Sequence, residues 1–190
     1  MTREHFLAAS AAVAAATSSP LPARGGGARS GSYCLPLHKG AGDLSFDFQL
    51  ETLDSDAIFA LSEHLGHPVW VNFFASWCGP CNREMPDVTR IAAAYADKGL
   101  RVFGVDVEEH EDKVRAFRKQ YEIAFPILLD RTSSVFHTFG LHGIPSHIFF
   151  APDHTITCMV QDSLEPREME NEIAVALARV TSDKTTPNPA

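Results

Sequence analysis

Positive charge is in short supply. Sixteen Lys and Arg stand against 24 Asp and Glu in 190 residues, a formal net charge of -8. A phosphate backbone would be repelled rather than neutralised, which excludes nucleic acid as a natural partner. Long apolar runs are missing too: none approaches the roughly 20 residues that a bilayer-spanning helix needs, so the mature protein is expected to have no transmembrane segment. No internal repeat is present, which sets aside solenoids and propellers. Cysteine is scarce, with four in the chain, and "GSY" before Cys34 lacks the small residues of a lipoprotein signal. What the chain does have is apolar content, 45% hydrophobic, enough for one sizeable core and one domain.

The two ends read differently from the middle. Arg3 precedes an apolar run from Phe6 to Ala16, followed by the small and turn-forming residues of "TSSPLPARGGGARSG", the pattern of an export signal too short to anchor. Residues 1–31 are therefore expected to be a signal peptide and flexible leader, 32–182 the folded domain and 183–190 a disordered polar tail. Export would bring the protein into oxidising conditions, where an even cysteine count suggests disulfide chemistry.

Within the middle, strand and helix patterns alternate. Leu44, Phe46, Phe48 and Leu50 alternate with polar neighbours as in a strand, and Asp56 to Leu65 reads as a helical turn. "PVWVNFFA" (Pro68 to Ala75) is nearly continuous apolar sequence, expected as a central strand buried on both faces. Met85, Val88, Ala92 and Tyr95 recur at helical spacing until Gly99, with Pro86 inside. "LRVFGVDV" is a second buried strand, and Val114, Phe117 and Tyr121 form the stripe of the helix after it. "FPILLD" reads as extended, Ser133 to Phe139 as a short helix, and "HIFFA" and "TITCMV" as strands around the turn "PDH". Met169, Ile173, Leu177 and Val180 mark a last amphipathic helix. The expected class is α/β, a mixed sheet flanked by helices in three layers, with an N-terminal strand extension.

The chemistry concentrates in "WCGPC", Trp77 to Cys81. As a staple this pair is poor: closing four residues restricts the unfolded chain by only about 2 kcal/mol, against about 5 for a loop of about 125. As a reactive pair it is good, because adjacent thiols close and reopen a disulfide without moving the fold. Cys78 falls where a buried strand meets a helix, near unpaired N–H groups that favour a thiolate, and is the expected nucleophile. Pro80 suits the first helical turn. Cys81, one turn further in, is the expected resolving thiol.

"VNFFASWCGPCNREMP", with Pro86 five residues after Cys81 and "GIPS" (Gly143 to Ser146) later, resembles the thioredoxin superfamily. Within it the nearest likeness is to exported TlpA/ResA-like thiol-disulfide oxidoreductases, over roughly Leu44 to Val180. The resemblance implies a thioredoxin-like fold and a cis Pro145. That proline would expose the backbone of Ile144 beside Cys78, where an extended substrate segment adds as a strand, with Trp77, Gly79 and Pro80 on the same face. It also implies a reductase of disulfide-containing protein substrates, fed by a membrane thiol-electron donor, with apocytochromes c or copper-site cysteines among the clients. No cofactor is expected beyond the redox-active Cys78–Cys81 disulfide. Asn72 stands where thioredoxins carry a buried aspartate. Glu84 matches the family's glutamate after the second cysteine and is the expected acceptor of the Cys81 proton; a first-turn glutamate favoured by the helix dipole is the alternative.

Four groups of residues complete the reading. His142 and His147 flank the "GIPS" segment and are expected as surface side chains, as are His64 and His67. Glu108, Glu109, Glu111 and Asp112 read as a solvated helix entrance. Cys34 and Cys158 either pair, pinning the N-terminal segment to the closing hairpin, or stay as two buried or unpaired thiols. Two other functions stay open: a zinc- or copper-binding module built on Cys-x-x-Cys, for which no second ligand pair at zinc spacing completes the set, and a thiol peroxidase.

Overall fold

Burial of every residue from Val69 to Phe74 organises the chain. The computed structural model describes residues 32–33 and 47–182. In chain order the elements are β1 (Ser32–Tyr33), β2 (Gln49–Thr52), β3 (Ser55–Ala60), β4 (Val69–Phe74), α1 (Gly79–Ala96), β5 (Arg101–Val107), α2 (Glu111–Gln120), β6 (Ile127–Asp130), α3 (Ser134–Thr138), β7 (Ser146–Phe150), β8 (Ile156–Val160) and α4 (Pro166–Ser182). The strands form one sheet in the order β1-β8-β7-β4-β5-β6-β2-β3. β4, β5 and β6 run parallel, and the remaining pairings are antiparallel.

The pleat of β4 sends its side chains to two cores. Trp70 and Phe74 face α1, α2 and α4 together with Met85, Val88, Ile91, Val114, Phe117, Met169 and Ile173. Val69, Val71 and Phe73 face the opposite way, with Phe103, Val105, Val135, Phe136 and Phe150. Phe74 stacks on Phe117 of α2 at 5.0 Å, tying sheet to helix, and Trp70 stacks on its ladder partner Phe149 at 5.3 Å within the sheet. The expected three layers are thus present, with α3 on one face and the longer helices on the other. The expected stripe of α2 holds, with Val114 and Phe117 buried, and α1 runs on past Pro86 to Ala96.

The N-terminal part departs from expectation. The stretch expected as a strand from Leu44 to Leu50 is paired only from Gln49 onward, and Leu44 and Phe46 lie outside the described residues. Asp56 to Ala60, expected as helical, belongs to β3, and only Leu61–His64 forms a 3-10 turn. Ile58 and Phe59 prefer a pleated setting. Phe59 sits opposite Leu50 in the ladder, with its ring 5.5 Å from Phe48 and 4.5 Å from Phe103. Tertiary pairing with β2 outweighs the weak local helical pattern. The leader 1–31, Cys34 and the tail 183–190 lie outside the described residues.

Gly104 marks a tight point in the centre of the sheet. A methyl group there would lie 2.9 Å from Phe74 Cε1 and 3.2 Å from Phe125 Cε2, and both rings are packed in the core. Gly104→Ala is therefore expected to lower stability by about 1–3 kcal/mol through overpacking. Urea denaturation checks it; an unchanged midpoint would show that the rings move aside freely.

Candidate active site

Strand β4 delivers its chain end directly to the redox motif. Cys78 is the N-cap of α1, extended at φ -76°, ψ 106°, and its Sγ accepts the Cys81 backbone N–H at 3.1 Å. This is one of the helix N–H groups that have no partner in the helix itself. Pro80 occupies the first turn, where its missing N–H costs nothing. Cys78 and Cys81 are joined in a disulfide, as the reactive-pair reading requires. Cys81 is fully buried and Cys78 nearly so, whereas Trp77 is 71% exposed beside them.

Opposite the motif, the Ile144–Pro145 bond is cis, and Cys78 Sγ stands 3.6 Å from the Ile144 carbonyl oxygen. The structure thus brings together the expected nucleophile, resolving cysteine and Ile144–Pro145 segment. Trp77, Gly79 and Pro80 follow by continuity. Ser146 Oγ donates to the Gly143 carbonyl at 2.7 Å and braces the same loop.

Two residues for which the sequence suggested no role at the motif hold it in place. Asn82 Nδ2 donates to the carbonyls of Ser76 (2.9 Å) and Cys78 (2.7 Å), and its Oδ1 accepts from Tyr121 Oη at 2.8 Å. Glu109 accepts from the Ser76 backbone N–H and, at 2.6 Å, from Ser76 Oγ. Glu109 was expected in a solvated acidic stretch. It is half-buried instead, because a left-handed turn at Glu108 (φ 62°) ends β5 and carries the next side chain toward the motif. A helical or strand pattern carries no sign of such a turn.

Beneath the motif lies a buried polar group. Glu84 is expected one helical turn beyond Cys81 and is found there, 6% exposed, while Asn72 and His147 are fully buried. Asn72 and His147 are ladder partners on β4 and β7, so their side chains lie side by side on the face that α1 covers. Asn72 Nδ2 donates to Glu84 Oε1 at 3.4 Å and to His147 Nδ1 at 3.3 Å. Trp70 Nε1 also donates to His147 Nδ1, at 3.3 Å. The Leu164 backbone N–H donates to Glu84 Oε2 at 3.3 Å. The surface expectation for His147 is therefore wrong, while His142 is exposed as expected. His64 is also not a plain surface residue: it stacks on Phe59 at 5.1 Å, and burial holds its pKa below the ordinary value. Strand alternation with Ile148 offered the one signal for His147, but a histidine on a half-polar strand reads equally well outward.

A second carboxylate flanks the site. Asp106, at 1% exposure, accepts the Glu109 backbone N–H at 3.2 Å. Burial first, then the Glu109 carboxylate hydrogen-bonded beside it, raise its pKa from 3.8 to about 8. Between these values the folded protein holds a proton that the unfolded chain has released, so stability falls as pH rises through that window. Asp106→Asn removes the titration. Its melting temperature is expected to drop less than that of the wild type between about pH 5 and about pH 8. Parallel melting curves would show Asp106 to ionise without cost.

Comparison with known proteins adds to this geometry. A family model described as AhpC/TSA family matches residues 41–159. The thiol-disulfide oxidoreductase ResA of Oceanobacillus iheyensis is 32% identical over 139 residues, 70% of this chain and 72% of that protein. ResA of Halalkalibacterium halodurans is 33% identical over 108 residues, 57% of this chain and 61% of that protein, so the match spans about three fifths of the relative. A secreted Mycobacterium tuberculosis disulfide oxidoreductase, homologous to E. coli DsbE, shares the fold with a TM-score of 0.63 at 24% identity, covering 70% of this chain and 98% of that structure. The sheet and helices described above are thus a thioredoxin-like fold.

Proposed function

Because the chain belongs to the AhpC/TSA family, and because a disulfide-forming cysteine caps its longest helix, we propose that it is a thiol-disulfide oxidoreductase that reduces disulfides in exported proteins. The observation that carries this reading is the Cys81 N–H donated to Cys78 Sγ at 3.1 Å. In the reduced protein that donor meets a sulfur anion, a charge-assisted bond at the positive end of the helix that favours the thiolate.

The reaction follows from the arrangement. Cys78 thiolate attacks one sulfur of the substrate disulfide; a Cys78–substrate bond forms, and the electron pair of the broken S–S bond leaves on the other substrate sulfur, which takes a proton. Glu84 then takes the Cys81 proton, and Cys81 thiolate attacks Cys78 Sγ. The Cys78–substrate bond breaks, its electron pair leaves on the second substrate sulfur, and the Cys78–Cys81 disulfide closes. Two electrons have passed to the substrate, with no cofactor besides the cysteine pair. An extended substrate segment adds as a strand along Ile144 and Pro145, against the face formed by Trp77, Gly79 and Pro80. The exposed indole of Trp77 and the Ile144 carbonyl beside Cys78 support that placement.

The same reading extends to the rest of the chain. The apolar run from Phe6 to Ala16 after Arg3 supports export with 1–31 as leader, leaving 32–182 as the working domain. A membrane thiol-electron donor returns the pair to the dithiol, and the clients are exported proteins such as apocytochromes c, in cytochrome c maturation, or copper-site proteins. Cys158 is disulfide-bonded, and its partner in this reading is Cys34, which follows Tyr33, the ladder partner of Met159.

Cys78→Ser is expected to reduce insulin-disulfide reduction at least ~100-fold, and Cys81→Ser to accumulate a mixed disulfide on Cys78. Stoichiometric zinc or copper retained by the purified protein, or peroxide turnover with insulin left intact, would overturn the reading. Alkylation of the unfolded, unreduced protein is expected to label no thiol; labelling of both Cys34 and Cys158 would remove the second bridge.

A further inference from the structure

Among the described residues, His147 is the buried imidazole that faces the carboxylate beneath the cysteine pair, and its surroundings dictate its hydrogen. An indole N–H can only donate, so the Trp70 bond at 3.3 Å requires His147 Nδ1 to be a bare acceptor. Asn72 Nδ2 reaches the same nitrogen at 3.3 Å, with its other hydrogen on Glu84 Oε1. Reversing the Asn72 amide would set its oxygen against two acceptors. The ring proton is therefore on Nε2, which stands 3.3 Å from Glu84 Oε1. The contact lacks hydrogen-bond alignment, and Nε2 has no hydrogen-bond partner among the described residues; Glu84 Oε1 is the acceptor it faces.

We propose that His147 is a positioning residue: a Trp70-locked imidazole whose Nε2–H faces Glu84 Oε1 at 3.3 Å and orients the carboxylate that receives the Cys81 proton. The inference rests on the reading of Glu84 as that proton's acceptor. A carboxylate has about four lone-pair sites. Asn72 takes one on Oε1, which His147 Nε2 also faces at 3.3 Å, and the Leu164 N–H takes one on Oε2. Oε2 keeps an open site. Without the imidazole hydrogen the carboxylate could swing about its side-chain torsion, whose barrier is low and broad, and the free site would no longer be fixed relative to Cys81. The ring itself is held from turning by its ladder position beside Asn72 and by Phe149, stacked at 6.4 Å.

Two substitutions separate this role from simple packing. Gln can put an N–H where His carries Nε2, toward Glu84; Asn can put an acceptor where His carries Nδ1, toward Trp70, but reaches no further. The experiment measures single-turnover release of a peptide from the Cys78 mixed disulfide, with kcat and KM for insulin alongside. His147→Asn is expected to slow release and kcat by about tenfold with KM unchanged, and His147→Gln by only about threefold. The reverse order, or equal rates for the two, would overturn the inference, since satisfying Trp70 alone favours Asn. Glu84→Gln is measured in parallel. Release at the wild-type rate there would remove the Glu84 reading itself, whereas slow release there with both His147 variants fast would remove only the role of His147. The native protein offers a check that needs no variant: nitrogen NMR of labelled histidine is expected to show His147 protonated on Nε2 and bare on Nδ1, and a proton on Nδ1 would end the proposal.

Discussion

A helix that begins with no partner for its first N–H groups needs an acceptor, and here the acceptor is the sulfur of Cys78, the proposed nucleophile. Cys78 Sγ receives the Cys81 N–H, so the bond that starts α1 is the one that would stabilise a sulfur anion once the disulfide opens. The remaining architecture holds that one contact still. β4 is buried along its whole length, which leaves its end no freedom to drift. Asn82 binds the carbonyls on either side of Trp77, and Glu109 binds Ser76. A reactive loop held by side chains at three points can break and remake its own covalent bond while the fold around it stays in place.

Polar groups are buried on two sides of the motif, and each set is arranged around a carboxylate. A buried polar atom left without a partner costs about 1–3 kcal/mol, and both buried carboxylates receive a backbone N–H. Glu84 draws donors from Asn72 on β4 and from the backbone just before α4, and His147 on β7 faces it at 3.3 Å. Asp106 accepts the Glu109 backbone N–H from the loop after β5, and Glu109 accepts from Ser76. The two sets differ in what they do with charge. Asp106 holds its proton because burial and a second carboxylate oppose ionisation. Glu84 instead faces N–H donors, from Asn72 and from the Leu164 backbone.

Much of this was legible in the residues. The apolar run at β4 and β5, the helical stripes of Val114 with Phe117 and of Met169 with Ile173, and the closing hairpin all follow from burial periodicity, which a single strand or helix carries within itself. β3 was not legible, since Asp56 to Ala60 becomes a strand only by pairing with β2. Glu109 and His147 were not legible either. Each sits in a stretch whose local pattern is satisfied equally by solvent, and each turns inward because another element offers a hydrogen-bond partner there.

The residue order by itself determined where the redox pair stands, that a buried strand precedes it and a helix follows, and that Pro80 and Glu84 occupy that helix's first turns, because these depend on neighbours a few positions apart. Tertiary structure decided what surrounds the pair. The β4–β7 ladder sets His147 beside Asn72, and the loop from β5 returns Glu109 to Ser76 across 33 positions. Contacts of that span arise from the register of strands and the packing of a helix upon them, which no short stretch of sequence contains.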